Sequence, residues 1–166
     1  MNKLAVFLFV MALPLGVWAQ QLKERKWEIG AQVTSIRLSR LEETATGAGG
    51  RVAYNLNDFI TLEGAADYFP ARQRALLGVG VRGGIRNRRY GLYGKWRPGV
   101  AYLEGRYFFA LDAGGALEIY PNSHTMFRLD VGDTRIFIRQ AKFPNAFVRD
   151  SYSHNLQITA GVGFRF

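Results

Sequence analysis

From Trp27 to Phe166 the chain alternates apolar and polar residues with a period of two, in one segment after another. Successive side chains of a strand point to opposite faces, so each such segment is a strand with one greasy and one polar side. The last segment is the cleanest. Leu156, Ile158, Ala160, Val162, Phe164 and Phe166 share one face, and Asn155, Gln157, Thr159, Gly161, Gly163 and Arg165 share the other. Seven further runs read the same way, with apolar rows beginning at Trp27, Val52, Ile60, Leu77, Tyr90, Phe109 and Phe127.

The connections fall into two kinds. Asn57-Asp58, Asn87-Arg88-Arg89 and Pro121-Asn122-Ser123-His124 are short and rich in turn formers. Residues 37–47, 69–75, 103–106 and 133–152 are more varied, and the last is the longest. Tight turns at one end, variable loops at the other and an even strand number predict an all-β fold. It is an eight-stranded antiparallel up-and-down transmembrane barrel with both termini at the tight-turn end. On that plan the termini face the periplasm and the loops face outward.

The contents of the polar rows separate a membrane barrel from a soluble one. They carry Glu28, Glu63, Asp67, Asp112, Glu118 and Asp130 together with Arg51, Arg82, Arg86, Lys95, Arg97, Arg128 and Arg165. Glycine and alanine fill most of the remaining positions. Nearly balanced charges among small residues suit a narrow lumen filled by ion pairs, since eight strands enclose only enough room for side chains. The apolar rows hold no charge near their middles, where one would cost about 2–4 kcal/mol in a bilayer. Their ends are aromatic: Trp27, Tyr54, Phe59, Tyr90, Tyr120 and Phe166 at the terminus end, and Tyr68, Phe69, Tyr102, Tyr107, Phe108 and Tyr152 at the loop end. Two girdles are what interfacial rings produce. Pro98 cannot donate to a ladder, so a bulge or bend is expected at Pro98-Gly99, above the membrane.

The N-terminus reads differently. Lys3 precedes an apolar run from Leu4 to Trp18, broken by Pro14 and Gly16 and closed by Val17-Trp18-Ala19. This is the pattern of a secretory leader, and the run is short for a membrane-spanning helix. The expected organisation is a signal peptide over 1–19, a short periplasmic segment over 20–26 and the barrel over 27–166. Loss of Lys3 would lower the formal charge from +9 to +8. The excess charge is scattered and export removes the chain from DNA, so nucleic acid is not an expected partner; anionic lipid headgroups are a better use of the arginines. The mean hydropathy of −0.08 does not argue against a membrane, because alternation averages out.

The C-terminus carries more than alternation. Thr159, Gly161, Phe164 and Phe166 place a polar residue, then a glycine two positions later, then aromatics at the third and fifth positions after that glycine. This resembles the signal by which the barrel-assembly machinery of Gram-negative bacteria recognises its clients. The stretch from residue 27 to residue 166 resembles the small bacterial outer-membrane β-barrel domain family, similar to the OmpA membrane domain and OmpX. The resemblance implies an outer-membrane location, lipid and lipopolysaccharide around the wall, and a role in envelope structure or surface interaction. Nothing in the sequence matches that family's periplasmic peptidoglycan-binding domain, so wall tethering is not expected.

Within that class the charged rows favour a structural or surface-interaction barrel whose lumen is plugged by ion pairs. A narrow porin-like pore for ions or small solutes is the alternative, and a lipid-modifying enzyme is a third. His154 stands beside Ser151 and Ser153, but a catalytic base needs an oriented acid and a nucleophile within reach; His154 and Ser153 point to opposite faces and Ser151 would lie in the loop, so His154 reads as a rim residue. His124 sits in a turn. Two separate histidines and no cysteine suggest neither a metal site nor a cofactor. Glycines at 78, 80, 83 and 84 continue a strand rather than opening a helix, so they do not form a phosphate loop. The 133–152 connection is the expected contact surface for an extracellular partner. The face assignment predicts that Val79→Arg damages assembly more than Gly80→Ser. A closed barrel also predicts that protein extracted from membranes migrates differently on SDS gels before and after boiling, and identical migration would exclude it.

Overall fold

The computed structural model describes residues 25–39, 42–103, 105–138 and 151–166, and only the backbone of Arg72, Ile138, Ser151 and Tyr152. The leader expected over 1–19 and the centre of the 133–152 connection lie outside those residues.

Eight strands follow in order: β1 (Trp27–Leu38), β2 (Glu43–Asn55), β3 (Ile60–Phe69), β4 (Arg74–Arg86), β5 (Tyr90–Leu103), β6 (Arg106–Ile119), β7 (Thr125–Ile138) and β8 (Ser151–Arg165). Each pairs antiparallel with its neighbour in sequence, and β8 returns to β1 to close the barrel. Partners traced around the wall run from Trp27 through Tyr54, Leu62, Val81, Trp96, Ala113, Asp133 and Leu156 back to Arg37. The circuit therefore climbs from residue 27 to residue 37 of β1, a stagger of ten residues. Closure with such a stagger tilts the strands by roughly 40°. The β1–β8 seam is held at its base by reciprocal bonds between Trp27 and Phe166, 3.0 Å each way.

The barrel is inside-out, as the alternation predicts. Leu156 is 52% exposed on the outer face while Gln157 is fully buried in the lumen. Apart from Met126, the largest fully buried side chains among the described residues are polar, with Arg82, Gln157, Glu28, Glu63 and Glu118 foremost.

Three hairpins at the terminus end share one device. The Oδ1 of Asn57 accepts from the backbone N–H of Phe59 and Ile60 at 2.8 and 2.7 Å. Asn87 does the same for Arg89 and Tyr90, and Asn122 for His124 and Thr125. Each asparagine supplies the acceptor that a tight reversal would otherwise lack.

At the other end the strands run further than the alternation shows. β1 and β2 continue through most of 37–47, β5 and β6 stop only at Leu103 and Arg106, and β7 and β8 extend to Ile138 and from Ser151. Here the lumen row turns apolar. Ile36, Leu38, Ala45, Phe69, Ala101, Ala110 and Ile136 form a buried cluster with Leu76, Leu103 and Phe108 packed against it. With apolar residues at lumen positions, and polar ones such as Arg37, Thr44 and Thr46 outside on β1 and β2, the greasy-out signal fades although the ladder persists. Phe69 and Phe108 thus belong to this inner cluster rather than to the loop-end girdle, and Tyr120 is buried in the lumen rather than at the terminus-end girdle. The outward aromatics pair across strands: Trp27 with Tyr54 at 4.9 Å, Tyr102 with Tyr107 at 5.1 Å and Phe109 with Phe137 at 5.5 Å.

Pro98 interrupts the ladder without a bulge. The β4–β5 ladder lapses between Gly78↔Gly99 and Val81↔Trp96, yet both strands advance by the same three residues, so none is inserted. Pro98 lies between exposed Trp96 and Val100, inside the apolar band rather than above it.

Gly80 corrects the pair of variants suggested by sequence. A Cβ there would lie 2.0 Å from the Trp96 carbonyl oxygen, so serine at this lumen position collides with backbone. Ala65, also buried in the lumen, is the sounder control. Val79→Arg is expected to lower stability by about 2–4 kcal/mol, read as a shift in the urea midpoint of the barrel refolded in lipid. Ala65→Ser should cost less than about 1 kcal/mol; equal shifts would remove the face assignment.

Candidate functional site

The strands project two groups of functional side chains: a charge network in the lumen and a polar cluster on the outer face near the loop end.

Glu63, on β3, is the centre of the first. It lies 2.9 Å from Arg97 Nη1 and 3.8 Å from Arg82 Nη1, and it pairs closely with Arg128. Arg82 in turn pairs closely with Glu28 and Glu118, so three acids from three strands converge on one guanidinium. Arg97 and Lys95 share Asp112 Oδ2, at 2.5 and 2.9 Å. Arg128 Nε contacts Asp130 at 2.6 Å. Toward the terminus end, Arg86 Nη2 meets Glu28 at 3.0 Å and its Nε donates to the Tyr93 hydroxyl at 2.6 Å, while Arg165 lies 3.4 Å from Glu28. The Tyr120 hydroxyl donates to Glu118 at 2.5 Å, and the Arg165 guanidinium lies over the Tyr120 ring.

Two predicted members stand apart. Asp67 accepts from Gln32 Nε2 and Thr34 Oγ1, both at 2.9 Å, and has no cation within salt-bridge reach among the described residues. Arg51 is buried over Gly30 and Gly163, also with no carboxylate in that range among the described residues, and its Nη2 makes no hydrogen bond there. Above the salt network lies a neutral layer in which Thr34 bonds Thr159 at 3.0 Å and Thr134 donates to Gln157 at 2.5 Å. The apolar cluster of Ile36, Leu38, Phe69 and Ile136 covers that layer, with Arg74 buried beside it and reaching toward Glu43 at 3.9 Å. Two cavities in this upper half measure about 10 and 20 Å3, each roomy enough for about one water.

Sequence reasoning missed the neutral layer and the lid. Their only signal is position: each residue sits at a lumen parity, but parity alone does not say which side chains meet.

The second cluster leaves His154 at the rim and gives it a partner. Its Nδ1 lies 2.6 Å from Asp133 Oδ2, and Arg135 Nε donates to the same oxygen at 3.1 Å. The Asn155 backbone N–H donates to Asp133 Oδ1 at 3.0 Å. An oriented acid is therefore present, supplied across the strand pair that sets Arg135 opposite His154. Ser153 points into the lumen, as expected, and the Ser39 hydroxyl donates to the His154 backbone carbonyl rather than to its ring. Among the described residues no three His, Cys, Asp or Glu side chains converge as a metal site requires. Within the C-terminal motif Phe164 and Phe166 face outward while Thr159 is buried in the lumen.

No family model matches the sequence, and no curated protein matches it significantly. Solved structures do. The N-terminal barrel domain of Pseudomonas aeruginosa OprF aligns over 84% of this chain and 97% of its own, at 12% identity and a TM-score of 0.61. The chain has the fold of the small eight-stranded outer-membrane barrels. The outer membrane protein OprG of Pseudomonas aeruginosa matches over 88% of this chain and 99% of its own, at 15% identity and a TM-score of 0.52. A barrel from the de novo design of transmembrane β-barrels matches over 84% and 95%, at 9% identity and a TM-score of 0.54. Identities this low establish architecture alone.

Removing one partner of a buried ion pair strands the others. Glu63→Gln is therefore expected to cost about 3–5 kcal/mol in the urea midpoint of the refolded barrel. Asp67→Asn, whose neighbours are neutral, should cost about 1 kcal/mol. Equal losses would show that the network is not centred on Glu63.

Proposed function

We propose that this chain is an integral outer-membrane protein of a Gram-negative bacterium. Its barrel acts as a closed structural body and presents its loop end to the outside. The observation that carries the reading is the filling of the lumen: interlocked ion pairs below, a neutral hydrogen-bonded layer above them, and the apolar cluster on top. A conducting path would require Glu63 and Arg82 to part inside a low-dielectric wall, which strands buried charge at several kcal/mol per ion.

The orientation rests on the three asparagine turns beside the termini, with the longest connection at the opposite end. In this reading the chain is exported by its leader. The barrel-assembly machinery takes it up through Thr159, Gly161, Phe164 and Phe166, and it sits among outer-membrane lipid and lipopolysaccharide. The connection between β7 and β8, whose centre lies outside the described residues, is where an extracellular partner would meet it. No step of the proposal needs a cofactor or a catalytic residue.

Purified protein inserted into planar bilayers is expected to give no sustained conductance steps. Reproducible open-channel currents would overturn the plugged reading in favour of a narrow pore. An epitope inserted at Gly105 should be detected on intact cells, and one appended after Phe166 only after permeabilisation; the reverse pattern would overturn the orientation.

A further inference from the structure

Consecutive strands are joined by the chain between them, but the β8–β1 pair is not, because its strands are the two ends of the barrel. At the terminus end the β2–β3, β4–β5 and β6–β7 pairs are each closed by an asparagine turn, and the seam has no turn at all. Chain ends fray unless something ties them down. Pairing strands this far apart in sequence also carries the largest closure entropy in the meander.

The two residues before β1 occupy the place of the missing turn. Their main chain is held by β2: the Lys26 carbonyl accepts from the Asn55 N–H at 2.8 Å, and the Arg25 carbonyl accepts from Asn55 Nδ2 at 2.9 Å. The Arg25 side chain reaches the opposite way, across the seam. Its Nη1 donates to the Arg165 carbonyl at the end of β8 at 2.9 Å, and its Nη2 donates to Ser123 Oγ in the β6–β7 turn at 3.3 Å. One residue therefore grips β2 with its backbone and β8 and the β6–β7 turn with its guanidinium. Asn55 carries the grip into the lumen, where Nδ2 also donates to Glu28 at 2.9 Å and Oδ1 accepts from Arg86 at 3.2 Å.

From this we infer that Arg25 is a latch for the barrel seam, doing without a covalent link for β8 and β1 what the asparagine turns do for the other pairs at this end. The latch forms only after β8 has docked on β1, because one of its acceptors is the Arg165 carbonyl. A guanidinium suits the task, since its donors are set in a rigid fork that holds two acceptors at once. On this reading residues 25 and 26 work as part of the barrel and not as a periplasmic spacer. The inference rests on the closed barrel alone and not on which way it faces.

The test is amide hydrogen exchange of the folded barrel in detergent micelles, followed by NMR. The reporters are the Trp27 and Phe166 amides, whose reciprocal bonds close the base of the seam. The internal references are the Ile60 and Tyr90 amides, held by the turn asparagines. Arg25→Gln keeps the backbone carbonyl and should speed exchange at Trp27 and Phe166 about tenfold, the worth of a hydrogen bond from a charged donor. It should change Ile60 and Tyr90 less than about twofold. Ser123→Ala leaves Arg25 in place, removes one acceptor and should speed the two seam amides about threefold; this arm decides the matter if Arg25→Gln does not fold. Lys26→Gln removes the same charge one residue along and should leave both seam amides unchanged. Seam amides unaltered by Arg25→Gln and Ser123→Ala, equal acceleration by Lys26→Gln, or equal acceleration at Ile60 and Tyr90 would overturn the latch.

Discussion

A wall of eight strands closed with a ten-residue stagger leaves a lumen no wider than the side chains that cross it. Most of what lies inside is ion-paired, small or, toward the loop end, apolar. Arg82 reaches Glu28, Glu118 and Glu63 because the tilt brings residues from β1, β3, β4 and β6 to a common depth. The same crowding explains Gly80, where any side chain would meet the next strand's backbone. It also explains why Tyr93 and Tyr120 lie flat against guanidinium groups instead of reaching solvent. The apolar outer wall follows from the opposite constraint, since nothing there can be hydrated in lipid.

Much of this was legible in the sequence. Period-two alternation placed the members of the salt network around Glu63 and Arg82 on the lumen side without any knowledge of pairing, but it left out buried Arg74 and put Phe69, Phe108 and Tyr120 on the outside. What it could not supply was the stagger. Whether Glu63 meets Arg97 or Arg51 depends on how far each strand slides against the next, and parity is blind to a slide of two residues. Asp133 and His154 are 21 residues apart in sequence, and only the β7–β8 register makes them partners. The apolar lid was illegible for a different reason. Ile36, Leu38, Phe69 and Ile136 obey the lumen parity but not the lumen's polarity, so the pattern dissolves where the strands continue.

A designed transmembrane barrel that shares 9% of its residues with this chain has the same architecture, so the fold accommodates very different contents of lumen and rim. In this chain the lumen joins a salt network to an apolar lid.

The β1–β8 seam shows what the lumen pairs do beyond filling space. A shift of two residues there would keep every side chain on its proper face but break the reciprocal Trp27–Phe166 bonds at the base of the join. It would also separate Glu28 from Arg165 and Thr34 from Thr159, contacts that straddle the join at 3.4 and 3.0 Å. Greasy-out alternation therefore permits a family of closed cylinders, and these few cross-seam contacts act as the key that selects one of them.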